Sequence, residues 1–154
     1  MPVKQKTANR PNIIIILTDD MGFSDVGCFG GNFVPTPNID RIAKNGRKFT
    51  QYYSAAPICS PSRAGMLTGM NPARWNFSTF LDNKKHNKNA EQADFLDPGA
   101  PSIARIFKNA GYATGHFGKW HMGGGRDVKT RRALNNMVLM NITALMKAPT
   151  QIRC

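Results

Sequence analysis

From Asn12 to Leu17 the chain is an apolar, β-branched run closed by Thr18-Asp19-Asp20. A continuous run of this length suits a parallel strand buried on both faces. Glycine-rich residues 21–31 read as a loop. Thr36 to Gly46 predicts a helix with its punctuation in place: Thr36 caps it, Pro37 opens it and Gly46 ends it. Its inward stripe is Ile39, Ile42 and Ala43. Lys48 to Ala55 reads as a second strand leading into residues 59–69, a short helix with Ser60 as cap, Pro61 at the first helical position and Gly69 at the far end. Residues 71–100 are less regular, and Asn83 to Asn89 reads as a polar, basic surface excursion with a solvated His86. A further helix runs from Pro101 to Ala110, with Ile103, Ile106, Phe107 and Ala110 on one face and Gly111 as the stop. Tyr112 to Phe117 is the third strand, and Gly118-Lys119-Trp120-His121 is the loop at its end.

Composition narrows the class. The 154 residues are enough for one domain with a moderate core. No apolar run approaches a membrane span, and the polar residues before Ile13 leave no hydrophobic leader. Taken literally, the chain stays in the cytoplasm, and export follows only from a start further upstream. Cys28, Cys59 and Cys154 are odd in number and widely spaced, without metal-type pairing or a disulfide framework. Asn76-Phe77-Ser78 and Asn141-Ile142-Thr143 are glycosylation-type triplets of the kind chance supplies. The net charge of +12 is spread along the chain, with no aromatic-interleaved basic stripe and no recognition-helix pattern. Nucleic acid is therefore not an expected partner.

Three clusters carry candidate chemistry. Cys59 stands at the start of a helix, where backbone N–H groups and the helix dipole favour negative charge. Arg63 follows at i,i+4 and adds a cation with a planar fork. A nucleophile, a positive helix end and an arginine suit a tetrahedral anion such as sulfate or phosphate, although the same residues also suit a buried structural cysteine. Asp19 and Asp20 sit at the carboxyl end of a strand, where open α/β sheets place ligands, and are hard oxygen donors for Ca²⁺ or Mg²⁺. A solvated turn is the alternative. Lys119 and His121, two residues apart, point the same way in an extended segment and could hold an anion and accept a proton. Their alternative is two surface polar residues flanking a packed Trp120.

The order Cys59-Ser60-Pro61-Ser62-Arg63, followed by Leu67-Thr68-Gly69, closely resembles the signature of the type I sulfatases, the arylsulfatase family. Gly111-Tyr112, Thr114 and Gly118-Lys119-x-His121 resemble that family's second signature. Asp19-Asp20 and the Thr36-Pro37-Asn38-x-Asp40 helix start fit the same pattern. The resemblance implies the amino-terminal part of an alkaline-phosphatase-like α/β fold, a mixed, mostly parallel sheet flanked by helices. It implies a sulfuric ester hydrolase whose Cys59 is oxidised to formylglycine by a maturating enzyme. Asp19, Asp20 and that residue would ligate a divalent metal, usually Ca²⁺, with Mg²⁺ as the alternative. Arg63 would neutralise and orient the formylglycine, Lys119 would contact the sulfate and the nucleophile, and His121 would hydrogen-bond a hydroxyl of the hydrate. The implied substrates are sulfate esters of small molecules or sulfated glycans. A phosphoryl or phosphonate ester hydrolase on the same scaffold is the runner-up, and an inactive fragment is the third reading.

The resemblance divides the chain into a polar segment 1–11, a sulfatase-like part 12–126 and a divergent tail 127–154. Sulfatases are much longer, and their further metal ligands, lysine and histidine lie downstream. Read in a shifted frame, the codons for residues 136–142 permit Tyr-Gly-Phe-Asp-Glu-Tyr, a sulfatase-like segment. The tail from about Thr130 to Cys154 is accordingly expected to be out of frame, with a divergent helix over Leu134–Met146 as the alternative.

Overall fold

The computed structural model describes residues 10–123; residues 1–9 and the tail from 124, including the proposed frame shift, lie outside the described residues. The chain divides into two compact units, Met1–Thr50 and Gln51–Cys154. Among the described residues, no helix is long and apolar enough to cross a membrane.

The first unit is built around α1, Pro37–Asn45. Thr36 does not cap it as expected. Its hydroxyl accepts from the Gly27 N–H (2.8 Å) and donates to Asp40 Oδ1 (3.1 Å), while Asp40 Oδ1 also accepts from the Cys28 N–H at 2.6 Å. Thr36, just before α1, and Asp40, in its first turn, thus bind the backbone of residues 27–28, where two 3₁₀ turns (Phe23–Asp25 and Gly27–Phe29) fold the glycine-rich loop. Lys48 Nζ adds a bond to the Cys28 carbonyl at 2.7 Å. This explains physically why a threonine and an aspartate stand four apart around the helix start. Asp40→Ala would leave the Cys28 N–H without this acceptor, and a loss of about 1–3 kcal/mol in this unit is expected, read by chemical denaturation. The predicted inward stripe of α1 is not buried: Ile42 is 65% exposed, and α1 has no buried residue.

The expected sheet is also corrected. Among the described residues there are four α-helices and three 3₁₀ turns, and none of the runs 12–17, 48–55 or 112–117 is a strand. Exposure alternates from 49% at Ile13 to 83% at Ile14, the period-two habit of an extended chain without the burial foreseen for it. The physical reason is that β-branching sets only the local backbone. A ladder needs a neighbour, and for a parallel strand that neighbour lies a dozen or more residues away.

The second unit holds α2, Cys59–Thr68; α3, Lys84–Asn89; and α4, Ile103–Asn109. Its core joins Ala64, Leu67, Phe77, Leu81, Leu96, Ala100, Trp120 and Met122. Ser102 caps α4 by accepting from the Arg105 N–H, and Gly111 (φ +87) ends it in a Schellman turn. There the Tyr112 N–H reaches the Phe107 carbonyl, and the two rings meet edge-on with centroids 5.2 Å apart. The inward face of α4 is shifted from the predicted one: Ala104 is buried, while Ile106 is 64% exposed.

Residues 83–89 lie at the surface as expected, with Asn83, Lys84, Lys85, Lys88 and Asn89 exposed, but they form a helix that turns two side chains inward. Asn83 caps α3 through the His86 N–H, and Asn87 is buried, its amide donating to Asp94 and its carbonyl oxygen accepting from the Asp82 N–H and from Gln92. His86 is half-buried and stacked on Phe80 at 4.7 Å, not solvated. This polar pin fixes the strip Phe77–Leu81 that reaches the candidate site.

Candidate active site

Cys59 is the first residue of α2. Ile58 before it is extended, and its carbonyl accepts the first helical bond from the Ser62 N–H at 3.1 Å. The cysteine therefore stands in the first turn, whose N–H groups have no intrahelical acceptor. Pro61 lies within that same turn, not at its first position, and there its missing donor costs nothing. Ser60 is not the cap. It is buried, and its hydroxyl accepts from the Leu81 N–H at 2.9 Å, pinning the helix start to the neighbouring strip. At the far end Gly69 (φ +67) closes the helix as expected, donating to the Gly65 carbonyl at 2.8 Å.

Arg63 is buried at 8% exposure, and its Nη1 donates to the Lys119 carbonyl at 2.7 Å. One turn of helix after the cysteine thus holds the loop that carries the lysine. Lys119 Nζ in turn lies 3.4 Å from Cys59 Sγ, so two segments sixty residues apart place an ammonium against the sulfur. The loop is not the extended segment expected: Gly118 (φ +96) and His121 (φ +52) are both left-handed, and Lys119 and His121 find separate partners. Trp120 between them is packed into the core, as the plainer reading of this loop had it.

His121 Nε2 lies 2.9 Å from the Leu81 carbonyl. A carbonyl only accepts, so Nε2 carries the hydrogen. In the neutral ring Nδ1 is then the bare acceptor, and it is buried without a hydrogen-bond partner. Leu81 is a double anchor, since its N–H goes to Ser60 and its carbonyl to His121. Asp19 and Asp20 belong to the first unit. Both are exposed, and Asp20 adopts φ +58, a conformation that Asp and Asn tolerate best among side-chain-bearing residues.

His116 is a site residue that the sequence reading did not single out. Its ring meets Trp120 edge-on at 5.5 Å. Burial holds its pKa below the ordinary 6.5, the Arg63 charge adds to that, and the Lys119 backbone works in the opposite direction. The unfolded chain therefore takes up this proton at higher pH than the folded one. The His116 contribution to stability is complete above pH 6.5 and is lost as the pH falls through the lower, folded value. Urea melts from about pH 7.5 down to about pH 5 are expected to show this loss, and His116→Phe is expected to flatten that part of the profile.

The arrangement gathers a thiol-bearing carbon, an ammonium, a buried guanidinium and a histidine acceptor within one unit. Such a set holds an anion and assists a nucleophile beside it. Comparison with known proteins gives the same direction. The family model described as sulfatase matches residues 11–137. Human arylsulfatase D is 45% identical over 124 residues, covering 77% of this chain and 20% of that protein. Human steryl-sulfatase is 40% identical over 116 residues, 75% of this chain and 20% of that protein. A solved structure from a Bacteroides thetaiotaomicron locus for the metabolism of multiple glycosaminoglycans is 41% identical, with a TM-score of 0.63 over 74% of this chain and 22% of that one. The chain thus spans about a fifth of the length of the curated relatives it matches.

Proposed function

The chain belongs to the sulfatase family, and on that premise we propose that it carries the amino-terminal part of a sulfuric ester hydrolase centre on an alkaline-phosphatase-like α/β scaffold. The observation that carries this reading is the Lys119 ammonium 3.4 Å from Cys59 Sγ, at the first turn of α2. Cys59 is the residue converted to formylglycine by a maturating enzyme, acting on the Cys59-x-Pro61-Ser62-Arg63 segment.

The donor chemistry fits a hard divalent cation, Ca²⁺ or Mg²⁺, because Asp19 and Asp20 offer adjacent carboxylates in an exposed turn. They would hold it together with the residue derived from Cys59. When bound, the cation and the aldehyde hydrate supply charge stabilisation on the sulfuryl oxygens and the attacking oxygen. The chain's own residues do the rest. Lys119 Nζ holds a sulfate oxygen and keeps negative charge stable beside the nucleophilic carbon. Arg63 fixes that lysine through its carbonyl and adds a permanent cation, which keeps the position suited to an anion. His121, with its hydrogen tied to Leu81, offers Nδ1 as the proton acceptor. The substrate class is a sulfate monoester of a small molecule or a glycan.

Initial rates on an aryl sulfate and the matching aryl phosphate, after maturation and with Ca²⁺ present, test this reading. Faster turnover of the sulfate is expected. Equal or faster turnover of the phosphate would shift the assignment to the phosphoryl hydrolases of the same scaffold.

A further inference from the structure

The triplet Asn76-Phe77-Ser78 has no part in the proposed hydrolase centre. The fold turns its two polar side chains outward and its middle one inward: Asn76 and Ser78 are exposed, whereas Phe77 is buried in the core. Asn76 ends the 3₁₀ turn Pro72–Trp75 in the left-handed region, at φ +53, which asparagine tolerates. Its backbone is held on both sides. The N–H donates to the Ala73 carbonyl at 3.1 Å, and the carbonyl accepts from the Ala93 N–H at 2.9 Å. Its side-chain amide makes no hydrogen bond to the described residues. Neighbouring asparagines differ in this respect. Asn71 Oδ1 accepts from the Ala73 N–H at 2.9 Å and Asn83 Oδ1 from the His86 N–H at 2.9 Å, while buried Asn87 donates to Asp94 at 3.0 Å. The second triplet, at Asn141, lies outside the described residues.

We propose that Asn76 is an acceptor site for an N-linked glycan, filled when the chain passes a transferase that holds a lipid-linked oligosaccharide. The triplet supplies the recognised pattern, with phenylalanine and not proline at its centre. In the transfer the Asn76 amide nitrogen bonds to the anomeric carbon of the sugar. The bond from that carbon to the lipid pyrophosphate breaks, the pyrophosphate leaves with the electron pair, and one amide proton passes to the transferase's base. The finished protein accommodates the product, because a sugar on Asn76 displaces no hydrogen bond and no core contact and projects from an exposed turn. The backbone bonds that hold the turn, and the Phe77 anchor beneath it, are untouched by the modification. On Asn87 the same sugar would break the bonds to Asp94 and Asp82 and force open a buried position. The site is independent of the sulfatase reading and of the state of residue 59.

The test expresses the full chain in eukaryotic cells behind a cleavable secretory leader, with Asn141→Gln removing the other triplet. Gel mobility and peptide mass spectrometry, before and after an N-glycosidase, read position 76. A glycan is expected at Asn76, its gel shift lost on glycosidase treatment as the asparagine becomes aspartate. Asn76→Asp keeps the left-handed backbone, and Ser78→Ala keeps the asparagine; both are expected to abolish the shift, whereas Ser78→Thr keeps it. Asn89→Ser is the control for exposure, since it gives buried Asn87 the same triplet. In the soluble, protease-resistant chain no glycan is expected at Asn87, while Asn76 of the same protein carries one. Asn76 left unmodified in the total cellular chain, while a control glycoprotein in the same cells carries its glycan, overturns the proposal. A shift that survives Ser78→Ala overturns it too, and so does a glycan confined to protease-sensitive, unfolded chain. Asn87 modified as fully as Asn76 in protease-resistant Asn89→Ser would show that the fold does not select the site, and would also overturn it.

Discussion

Cys59→Ala is expected to eliminate sulfate-ester hydrolysis by the matured chain, lowering kcat by roughly four orders of magnitude or more. Alanine cannot be converted to an aldehyde, so the attacking oxygen is lost and not merely weakened. The change removes one sulfur atom from a half-buried position in the first turn of α2, where alanine is a good helix former. Folding is therefore expected to be preserved, with a melting temperature close to that of the parent, which separates loss of chemistry from loss of structure. Lys119 and Arg63 remain as an anion-holding pair, so inorganic sulfate is expected to bind the variant with little change. Residual hydrolysis within about tenfold of the parent would mean that another group attacks sulfur.

The second large effect is expected at the carboxylates. Asp20→Asn keeps the left-handed backbone at φ +58, because asparagine tolerates that conformation as aspartate does. It removes only the charge. Ca²⁺ affinity by calorimetry is expected to fall roughly tenfold or more, and turnover to fall roughly a hundredfold and to recover only partly at high Ca²⁺. Asp20→Ala adds about 1 kcal/mol of backbone strain to the same loss and is expected to be the less stable of the two. Chelation of the parent with EDTA is expected to reproduce the turnover defect and to be reversed by Ca²⁺. Unchanged Ca²⁺ binding in Asp20→Asn would remove this residue from the metal site.

Much of this centre was legible in the sequence, for reasons that differ by residue. The helix at 59–68 and its αL stop at Gly69 follow from local punctuation, and so do α1 and the Gly111 turn after α4. The order of residues around Cys59 and Lys119 carried the family, which the comparisons then matched over most of the chain. What was misread depends on distant partners. Ser60 looked like a cap because serine before proline often is one. Its hydroxyl instead meets the Leu81 N–H, twenty-one residues away, and no local pattern announces that bond. Thr36 was misread in the same way, since its partners are Gly27 and Asp40.

The strand runs were misread because propensity fixes the backbone of Ile13–Leu17 and leaves its pairing open. His86 and Asn87 looked solvated because they sit in a lysine-rich stretch, but one turn of helix is enough to turn Asn87 inward onto Gln92 and Asp94 while Lys84 and Lys85 stay outside. His116 was overlooked for a simpler reason. A histidine four residues before a tryptophan, across a glycine, gives no signal until the turn at Gly118 sets the two rings edge to face.

The most direct test of the central claim is the mass of the peptide containing Cys59, after the chain is co-expressed with a formylglycine-generating enzyme. The expected result is conversion at Cys59 alone, with the elements of H₂S lost and one oxygen gained, and trapping of the new aldehyde by a hydrazide. Cys28 in the same sample is expected to remain a thiol. A Cys59 peptide of unaltered mass, still alkylated as a thiol while a control substrate in the same cells is converted, would contradict the assignment of this residue as the precursor of the nucleophile.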